Sequence, residues 1–359
     1  MTIGFDGSRT FIKNRTGTEN YSYQLLINLL KIDPKNKYVV YLRPHTVIPA
    51  EAGIYKNVEF KTLNFPRLWT QVGLALETFK SNLDVLFVPA HTLPIIKKPG
   101  LKTVVTVHDL GAEYLPKMHQ FKQQLYLKYI TKYQLTSATK LIAVSKATKE
   151  DLIKKVGIDP KRINVVYEGF NTKLKPSNSD AEVSSLKPFY LFVGTVQPRK
   201  NLGRLIKAFA IHLRGEVKLV IVGQKGWLAD DIYQLPKKLG IEERVKFLGH
   251  VADEELAKLY SGAEALLFPS LFEGFGLPIL EAQACGCPVI TSNLSSMPEV
   301  AGKGAILVDP YSEGDIVKGM ERLRITDYKQ KLTKAGFKNI KRFSWEKAAR
   351  ETLAVLESL

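Results

Sequence analysis

Apolar residues fall along this chain in short runs, separated by stretches whose apolar positions recur every three or four residues. Side chains alternate faces along a strand and return to one face every 3.6 residues in a helix, so the two spacings predict different elements. Strands are predicted at Ile3–Phe5, Tyr38–Leu42, Val58–Thr62, Val85–Val88, Lys102–Val107, Leu141–Val144 and Ile163–Val166. Helices are predicted between them at Glu19–Lys31, Leu68–Ser81, Phe121–Thr136 and Lys146–Val156. The theme repeats, with strands at Phe189–Val193, Lys218–Val222, Val245–Leu248, Ala265–Phe268 and Pro288–Thr291. Helices follow at Leu202–Leu213, Leu228–Leu239, Asp253–Ser261 and Pro278–Cys285. Strands such as Val85-Leu86-Phe87-Val88 are apolar on both faces. Alternation of such strands with helices predicts an α/β fold, with parallel sheets covered on both sides.

The two rounds are separated by Asn171–Pro188, which has no apolar periodicity and is rich in Ser, Asn and Pro. That composition predicts a linker over 171–188 between a domain at 1–170 and a second at 189–343. Two doubly wound domains joined this way would face across a cleft, with ligands at the carboxyl ends of the strands. The last segment opens on Ser344 as a helix N-cap and carries Trp345, Ala348, Leu353 and Leu356. Periodicity does not say which domain it joins.

Composition narrows the class. The chain has 359 residues, 45% of them apolar and 24% charged, which suits a globular protein and argues against long disorder. Two cysteines, Cys285 and Cys287, are too few and too close for a disulfide scaffold, so a reducing cytoplasm is expected. Met1–Phe11 lacks a basic segment followed by an apolar one, so no signal peptide is expected. No apolar run approaches the roughly 18 residues of a membrane span. Secreted, integral-membrane, collagen-like and zinc-finger classes are set aside. The net charge is +17 and uneven: residues 1–180 hold 27 basic and 14 acidic side chains, residues 181–359 hold 25 and 21. Such a field fits an anionic partner, and it also fits plain solubility.

The strongest chemical signal runs from Phe272 to Glu281, Phe-Glu-Gly-Phe-Gly-Leu-Pro-Ile-Leu-Glu, between a predicted strand and a predicted helix. Pro278 suits the first turn of that helix. The backbone N–H groups of Phe275, Gly276 and Leu277 would stand at its N-terminus, where anions bind. Glu273 and Glu281 flank that turn. Carboxylates repel phosphate but accept hydrogen bonds from hydroxyls, and a sugar nucleotide has hydroxyls on both sides of its diphosphate. Glycine spacing alone would fit an idle turn. The second signal, Val193-Gly194-Thr195-Val196-Gln197-Pro198-Arg199-Lys200, also joins a strand to a helix. Gly194 permits a tight turn, and Arg199 with Lys200 can clamp a diphosphate and stabilise its charge on departure. His108 closes the apolar run Thr103–Val107, where a core histidine and a functional one read alike.

The pairing of these two loops resembles the retaining glycosyltransferases of family 4, which have the GT-B fold of two Rossmann-like domains. Glu273 and Glu281 match that family's E-x7-E signature, and the resemblance covers nearly the whole chain. Phe5–Arg9 and Thr16–Tyr21 look like its N-terminal glycine loop, although Gly17-Thr18 stands where many members have two glycines. Val107-His108-Asp109 resembles its catalytic His–Asp segment, and Ala143-Val144-Ser145 a turn of the acceptor domain. Phe247–Val251 looks like the stretch near the nucleotide base. Phe343-Ser344-Trp345 resembles the start of a terminal helix, 344–359, that crosses back onto the N-terminal domain. The resemblance implies that Glu273 holds donor sugar hydroxyls, Glu281 the ribose, and Arg199 and Lys200 the diphosphate. It places His108 beside the sugar, with Gly17, Gly194 and Val251 around the donor.

No histidines stand at metal-ligand spacing and no Asp-X-Asp triplet is present, so no cofactor or metal is expected. The resemblance then implies hexose transfer from a nucleoside diphosphate sugar with retention, by front-face substitution in which the leaving diphosphate takes the proton of the incoming hydroxyl. Bacterial mannosyltransferases of surface-polysaccharide assembly are the nearest likeness, so GDP-mannose is the first donor. UDP-glucose, UDP-GlcNAc and a deoxyhexose donor stay open. A GT-B sugar-nucleotide epimerase and a non-catalytic relic are the rival classes. From Tyr114 to Lys149 there are seven lysines, at 117, 122, 128, 132, 140, 146 and 149, and no acid. Phe121, Tyr126, Tyr129 and Tyr133 lie among them. That mixture suits an anionic membrane surface through 114–149, or a helix with a wet basic face. The expected partners are therefore the sugar nucleotide, a glycan or lipid-linked acceptor, and the inner face of the cytoplasmic membrane. Nucleic acid is not among them, since no binding motif accompanies the charge.

Overall fold

The computed structural model describes all residues except 14, 16, 66, 91, 111–131, 179 and 214. It divides into two units, Met1–Gly169 with Phe343–Leu359, and Phe170–Arg342. Among the described residues, each is built on one parallel sheet.

In the first unit the strands are β1 (Thr2–Asp6), β2 (Lys37–Leu42), β3 (Val58–Thr62), β4 (Val85–Val88), β5 (Lys102–Val107), β6 (Lys140–Ala143) and β7 (Ile163–Val165). Their order is β3-β2-β1-β4-β5-β6-β7. The central strand β4 is buried along its whole length, whereas the edge strand β3, Val-Glu-Phe-Lys-Thr, is partly exposed throughout. An edge strand covered on fewer sides tolerates charge, and a central one does not. In the second unit β8 (Phe189–Val193), β9 (Lys218–Val222), β10 (Val245–Gly249), β11 (Leu266–Phe268), β12 (Val289–Ser292) and β13 (Ala305–Val308) run in the order β10-β9-β8-β11-β12-β13. Both orders reverse direction beside the first strand of the unit, between β1 and β4 and between β8 and β11. Loops on the two sides of such a switch point diverge and leave a crevice at the strand ends.

The terminal helix Trp345–Glu357 belongs to the first unit and packs on the Gly17–Ile32 helix. Ser344 caps it, its Oγ accepting from the Lys347 N–H at 3.1 Å. Tyr21 meets the Trp345 ring edge-on at 5.8 Å, and Tyr167 meets Phe343 at 5.5 Å. Gly169 lies so close to this crossing that a Cβ there would stand 2.3 Å from the Trp345 nitrogen.

Three expectations need correction. The stretch 171–188, read as a linker, packs on the second unit. The Asn171 amide donates to Asp253 Oδ2 at 2.8 Å, the Ser177 N–H donates to Ser261 Oγ at 3.0 Å, and Lys258 pairs with Asp180 at 2.8 Å. Asp180 also caps a short helix, Ala181–Leu186, that buries Val183. The segments Leu68–Ser81 and Lys146–Val156 are not single α-helices: Trp69–Leu74 winds as a π-helical turn before the α-helix Ala75–Lys80, and Leu152–Val156 as one after the α-helix Lys146–Asp151. Elements also continue past Thr291, with β13 and the helices Met297–Ala301, Glu313–Arg322 and Thr326–Ile340. Of the expected helix 121–136, the residues up to 131 lie outside the described ones, and Lys132–Ser137 is helical.

Candidate functional site

The loops after β8 and β11, on the two sides of the second unit's switch point, carry the chemical signals and are tied together. The Leu271 N–H donates to the Arg199 carbonyl at 2.9 Å. Asn201, in the left-handed conformation at φ 62°, donates its amide to the Pro269 and Pro310 carbonyls at 3.0 and 2.7 Å. Between these ties the charged groups converge. Arg199 Nη1 stands 2.7 Å from Glu273 Oε2, and Lys200 Nζ stands 2.6 Å from Glu273 Oε1. Arg199 also donates to the Phe272 carbonyl at 3.2 Å, and the Lys200 ammonium lies 4.9 Å from the centre of the Phe268 ring. Lys200 and Glu273 are both buried. Burial alone would raise the Glu273 pKa, but Arg199 and then Lys200 hold the carboxyl well below its ordinary range. Two cations on one carboxylate leave a net positive charge at the end of β8. Each Glu273 oxygen keeps a lone pair for a further donor.

Gly194 opens the space above this cluster. Its φ of 145° belongs to glycine, and a Cβ there would lie 3.5 Å from Lys200 Cε and 3.6 Å from Nζ. Gly276, at φ 106°, caps the helix Leu277–Ala284, so the Gly276 and Leu277 backbones stand at its positive end, with Phe275 just before. Two hydroxyls that the sequence reading missed hold this turn. Ser295 Oγ donates to the Glu273 carbonyl at 2.6 Å, and Ser296 Oγ lies 2.9 Å from that carbonyl and 2.7 Å from that of Phe275. One turn into the helix, Glu281 accepts from the Tyr260 hydroxyl at 3.0 Å. Burial, reinforced by Asp253, pushes its pKa up to about 7 against the Tyr260 hydrogen bond. Val251 is buried beyond β10 and follows Gly249, whose φ is 72°.

His108 and Gly17 belong to the first unit, and the Arg199–Lys200–Glu273 cluster to the second. His108 follows β5, which lies one strand away from that unit's switch point. Its Nε2 lies 2.9 Å from the Pro89 carbonyl, at the end of β4, and its Nδ1 lies 3.2 Å from Glu168 Oε1. The Tyr21 ring stands at right angles to the imidazole, 4.5 Å away. Burial opposes protonation of His108, but the hydrogen bond and charge of Glu168, then the Pro89 carbonyl and Asp109, raise its pKa above the ordinary 6.5. Glu168 was not anticipated, because nothing in its local sequence announces a partner sixty positions away. Gly17 opens the Gly17–Ile32 helix, and a Cβ there would meet no atom within 4 Å. The fold itself does not demand glycine at that position.

The basic segment 114–149 is only partly described. Lys117, Lys122, Lys128, Phe121, Tyr126 and Tyr129 lie outside the described residues. Lys132 and Tyr133 are exposed. Lys140 instead donates to Ser358, and Lys149 to the Ile163 carbonyl at 2.9 Å, so these two serve the fold. No helix among the described residues is long and apolar enough to cross a membrane.

Comparison with known proteins is consistent across both units. A family model described as Glycosyltransferase Family 4 matches residues 17–174, and one described as Glycosyl transferases group 1 matches residues 177–339. The O-antigen chain mannosyltransferase B of Escherichia coli is 31% identical over 265 residues, 70% of this chain and 69% of that protein. A Campylobacter jejuni protein named as an N-acetylgalactosaminyltransferase acting on a diphospho-undecaprenol glycan is 28% identical over 86% of this chain and 84% of its own. Among solved structures, sucrose-phosphate synthase from Thermosynechococcus elongatus superposes with a TM-score of 0.79 at 20% identity, covering 99% of this chain and 98% of its own. HepE from Anabaena, in complex with UDP-glucose, superposes at 0.75 with 21% identity over the whole of both chains. These structural likenesses fix the fold as GT-B.

Proposed function

The chain belongs to glycosyltransferase family 4, and from that membership we propose that it moves mannose from GDP-mannose, with retention, to a hydroxyl of a glycan or lipid-linked acceptor. The observation that carries the donor site is the Arg199–Lys200–Glu273 cluster beside the N-terminus of the Leu277–Ala284 helix. Two cations on Glu273 and a helix N-terminus four residues further along the same loop suit a diphosphate, in the ground state and more so as it leaves. The free lone pairs of Glu273 suit sugar hydroxyls, and Glu281 suits the ribose. Mannose rests on the relatives' names. The N-acetylgalactosaminyl relative and the UDP-glucose complex favour a UDP-sugar as the second reading. Arg199 and Lys200 supply the countercharge, so turnover proceeds without a metal, and initial rates in excess EDTA match those with Mg²⁺. A tenfold loss restored by Mg²⁺ overturns that part.

Melting temperature against GDP, UDP, dTDP and ADP tests the donor. A ligand at a hundred times its Kd stabilises the folded state by about 2.7 kcal/mol. GDP raises the transition most if the reading holds. A shift with UDP alone replaces it with the UDP-sugar reading, and conversion of the donor without an acceptor points to an epimerase.

We further propose that the enzyme works at an anionic membrane face. Beside the exposed Lys132 and Tyr133, the helix Ala75–Lys80 and the loop that follows β4 expose Leu76, Phe79, Ile95 and Ile96. Gln71 and Thr78 bind that loop to the helix through the Ile95 and Lys98 N–H groups. Lys80 and Lys98 stand in the same stretch, and no acid occurs between Val85 and His108. Apolar side chains rimmed by lysines complement a bilayer with anionic headgroups.

A further inference from the structure

Both ring nitrogens of His108 face oxygen acceptors. The Pro89 carbonyl, 2.9 Å from Nε2, can only accept, so Nε2 carries a hydrogen. Glu168 Oε1, 3.2 Å from Nδ1, accepts as a carboxylate, so Nδ1 carries the other. An imidazole with hydrogens on both nitrogens is a cation with no lone pair. Only its faces and C–H edges remain for a ligand.

The carboxylate that imposes this state is held from several directions. Glu168 is buried. Two residues before it, the Val166 N–H donates to the Ala143 carbonyl at 3.0 Å, extending the sheet. Its neighbour Tyr167 packs on Phe343. On its other side Gly169 is pressed against the Trp345 backbone, where no larger residue fits. The His108 end is fixed as well: Thr148 Oγ1 donates to the His108 carbonyl at 3.3 Å, and Tyr21 stands edge-on to the ring. Among the described residues, the charged and titratable groups facing the imidazole include Glu168 from the segment after β7, Asp109 from its own loop, and Tyr21 from the Gly17–Ile32 helix.

We propose that Glu168 is a positioning residue for sugar transfer, which fixes His108 as an imidazolium with both N–H groups committed inside the first unit. This rests on the reading of the chain as a transferase that uses His108. It removes His108 as the base for the incoming hydroxyl, whose proton must go to another acceptor, and the leaving diphosphate fits that need. His108 contributes a rigid, cationic surface whose orientation Glu168 sets.

The sign of the pH dependence follows. A raised histidine pKa keeps the competent, protonated form at neutral pH, and that form is lost as pH rises through the raised value. Glu168→Gln keeps an acceptor for Nδ1 but removes the charge, so the histidine titrates at lower pH. Two measurements on the full-length protein decide it. The first is ¹⁵N NMR of the labelled imidazoles, with the His108 signals assigned by their loss in His108→Phe. The wild type should show both His108 nitrogens protonated at pH 7, and Glu168→Gln should move the transition down by about one pH unit or more. The second is the pH profile of kcat/KM, whose alkaline limb should move down by the same amount and recover in part in Glu168→Asp. A neutral His108 in the wild type at pH 7 overturns the proposal, whether or not the variants fold. So does a Glu168→Gln profile that superposes on that of the wild type. If the wild type transfers no sugar from any donor, the transferase reading fails, and the NMR titration still decides the Glu168–His108 pairing.

Discussion

Glu273 is the residue on which the proposed donor site turns, because it holds two cations that would otherwise be close neighbours in a buried place. Removing one partner of a buried ionic cluster costs about 3–5 kcal/mol, since the charge left behind is uncompensated. Glu273→Ala should therefore melt earlier than the wild type without ligand, yet gain more from a nucleoside diphosphate, which supplies the missing negative charge. Lys200→Ala should do the reverse: little gain from the nucleotide, and kcat lower by about 10²–10³. A calorimetric comparison of the two variants with and without nucleotide separates them. Glu281 has the opposite electrostatics. Its folded pKa near 7 lies above the ordinary 4.5, so the folded chain binds the extra proton between those values and its stability falls as pH rises through them. Glu281→Gln should thus be more stable than the wild type at pH 8, by on the order of 1 kcal/mol after allowing for partial exposure, and about equal to it at pH 4. Urea denaturation at the two pH values checks this.

At the scale of elements, the strands were legible because a buried parallel sheet writes apolar residues on both faces, as β4 and β8 do. Two α/β units followed from their alternation with helices, and the GT-B fold from the family resemblance that the two strand-to-helix loops carry. What stayed hidden depends on contacts between loops far apart in sequence. Asn171, Ser177 and Asp180 looked like linker residues by composition, and only their partners Asp253, Ser261 and Lys258 turn the segment into a packed strap. Glu168 and Ser296 carry no periodic or motif signal either. The functional weight of Ser296 can be measured. Its hydroxyl lies within hydrogen-bond reach of two carbonyls in the turn that presents Glu273, and a hydrogen bond of this kind contributes about 0.5–1.5 kcal/mol. Ser296→Ala should lower the melting temperature and raise the donor KM, while Ser296→Thr should restore part of both.

Across the whole molecule the charge is lopsided, and the membrane reading gives that asymmetry a use. Each basic residue near an anionic leaflet contributes about 1 kcal/mol, screened beyond a Debye length of about 8 Å. Lysines alone would release the protein in high salt, whereas inserted apolar side chains would not. The wild type should float with anionic vesicles, and part of the binding should survive half-molar salt. Phe79→Ser with Ile96→Ser should remove the surviving part, and charge reversal at Lys80 and Lys98 the salt-sensitive part. Equal flotation by both variants and the wild type returns this face to ordinary solvent.

The crossing at Phe343 has a consequence for how the chain comes into being. The second unit is one uninterrupted stretch, Phe170–Arg342, but the first is closed by Phe343–Leu359, which lies beyond it. During synthesis Met1–Gly169 emerges before the second unit, and the segment that completes it emerges after. Until Phe343–Leu359 has emerged, the Gly17–Ile32 helix lacks the cover of Trp345, Ala349 and Leu356, which are buried in the folded unit. The second unit can fold behind it meanwhile, since domains form as their residues emerge. A half-made chain should therefore hold a finished second unit and an open, adhesive first unit that needs shielding, and a nonsense codon before Phe343 should arrest the protein in that state.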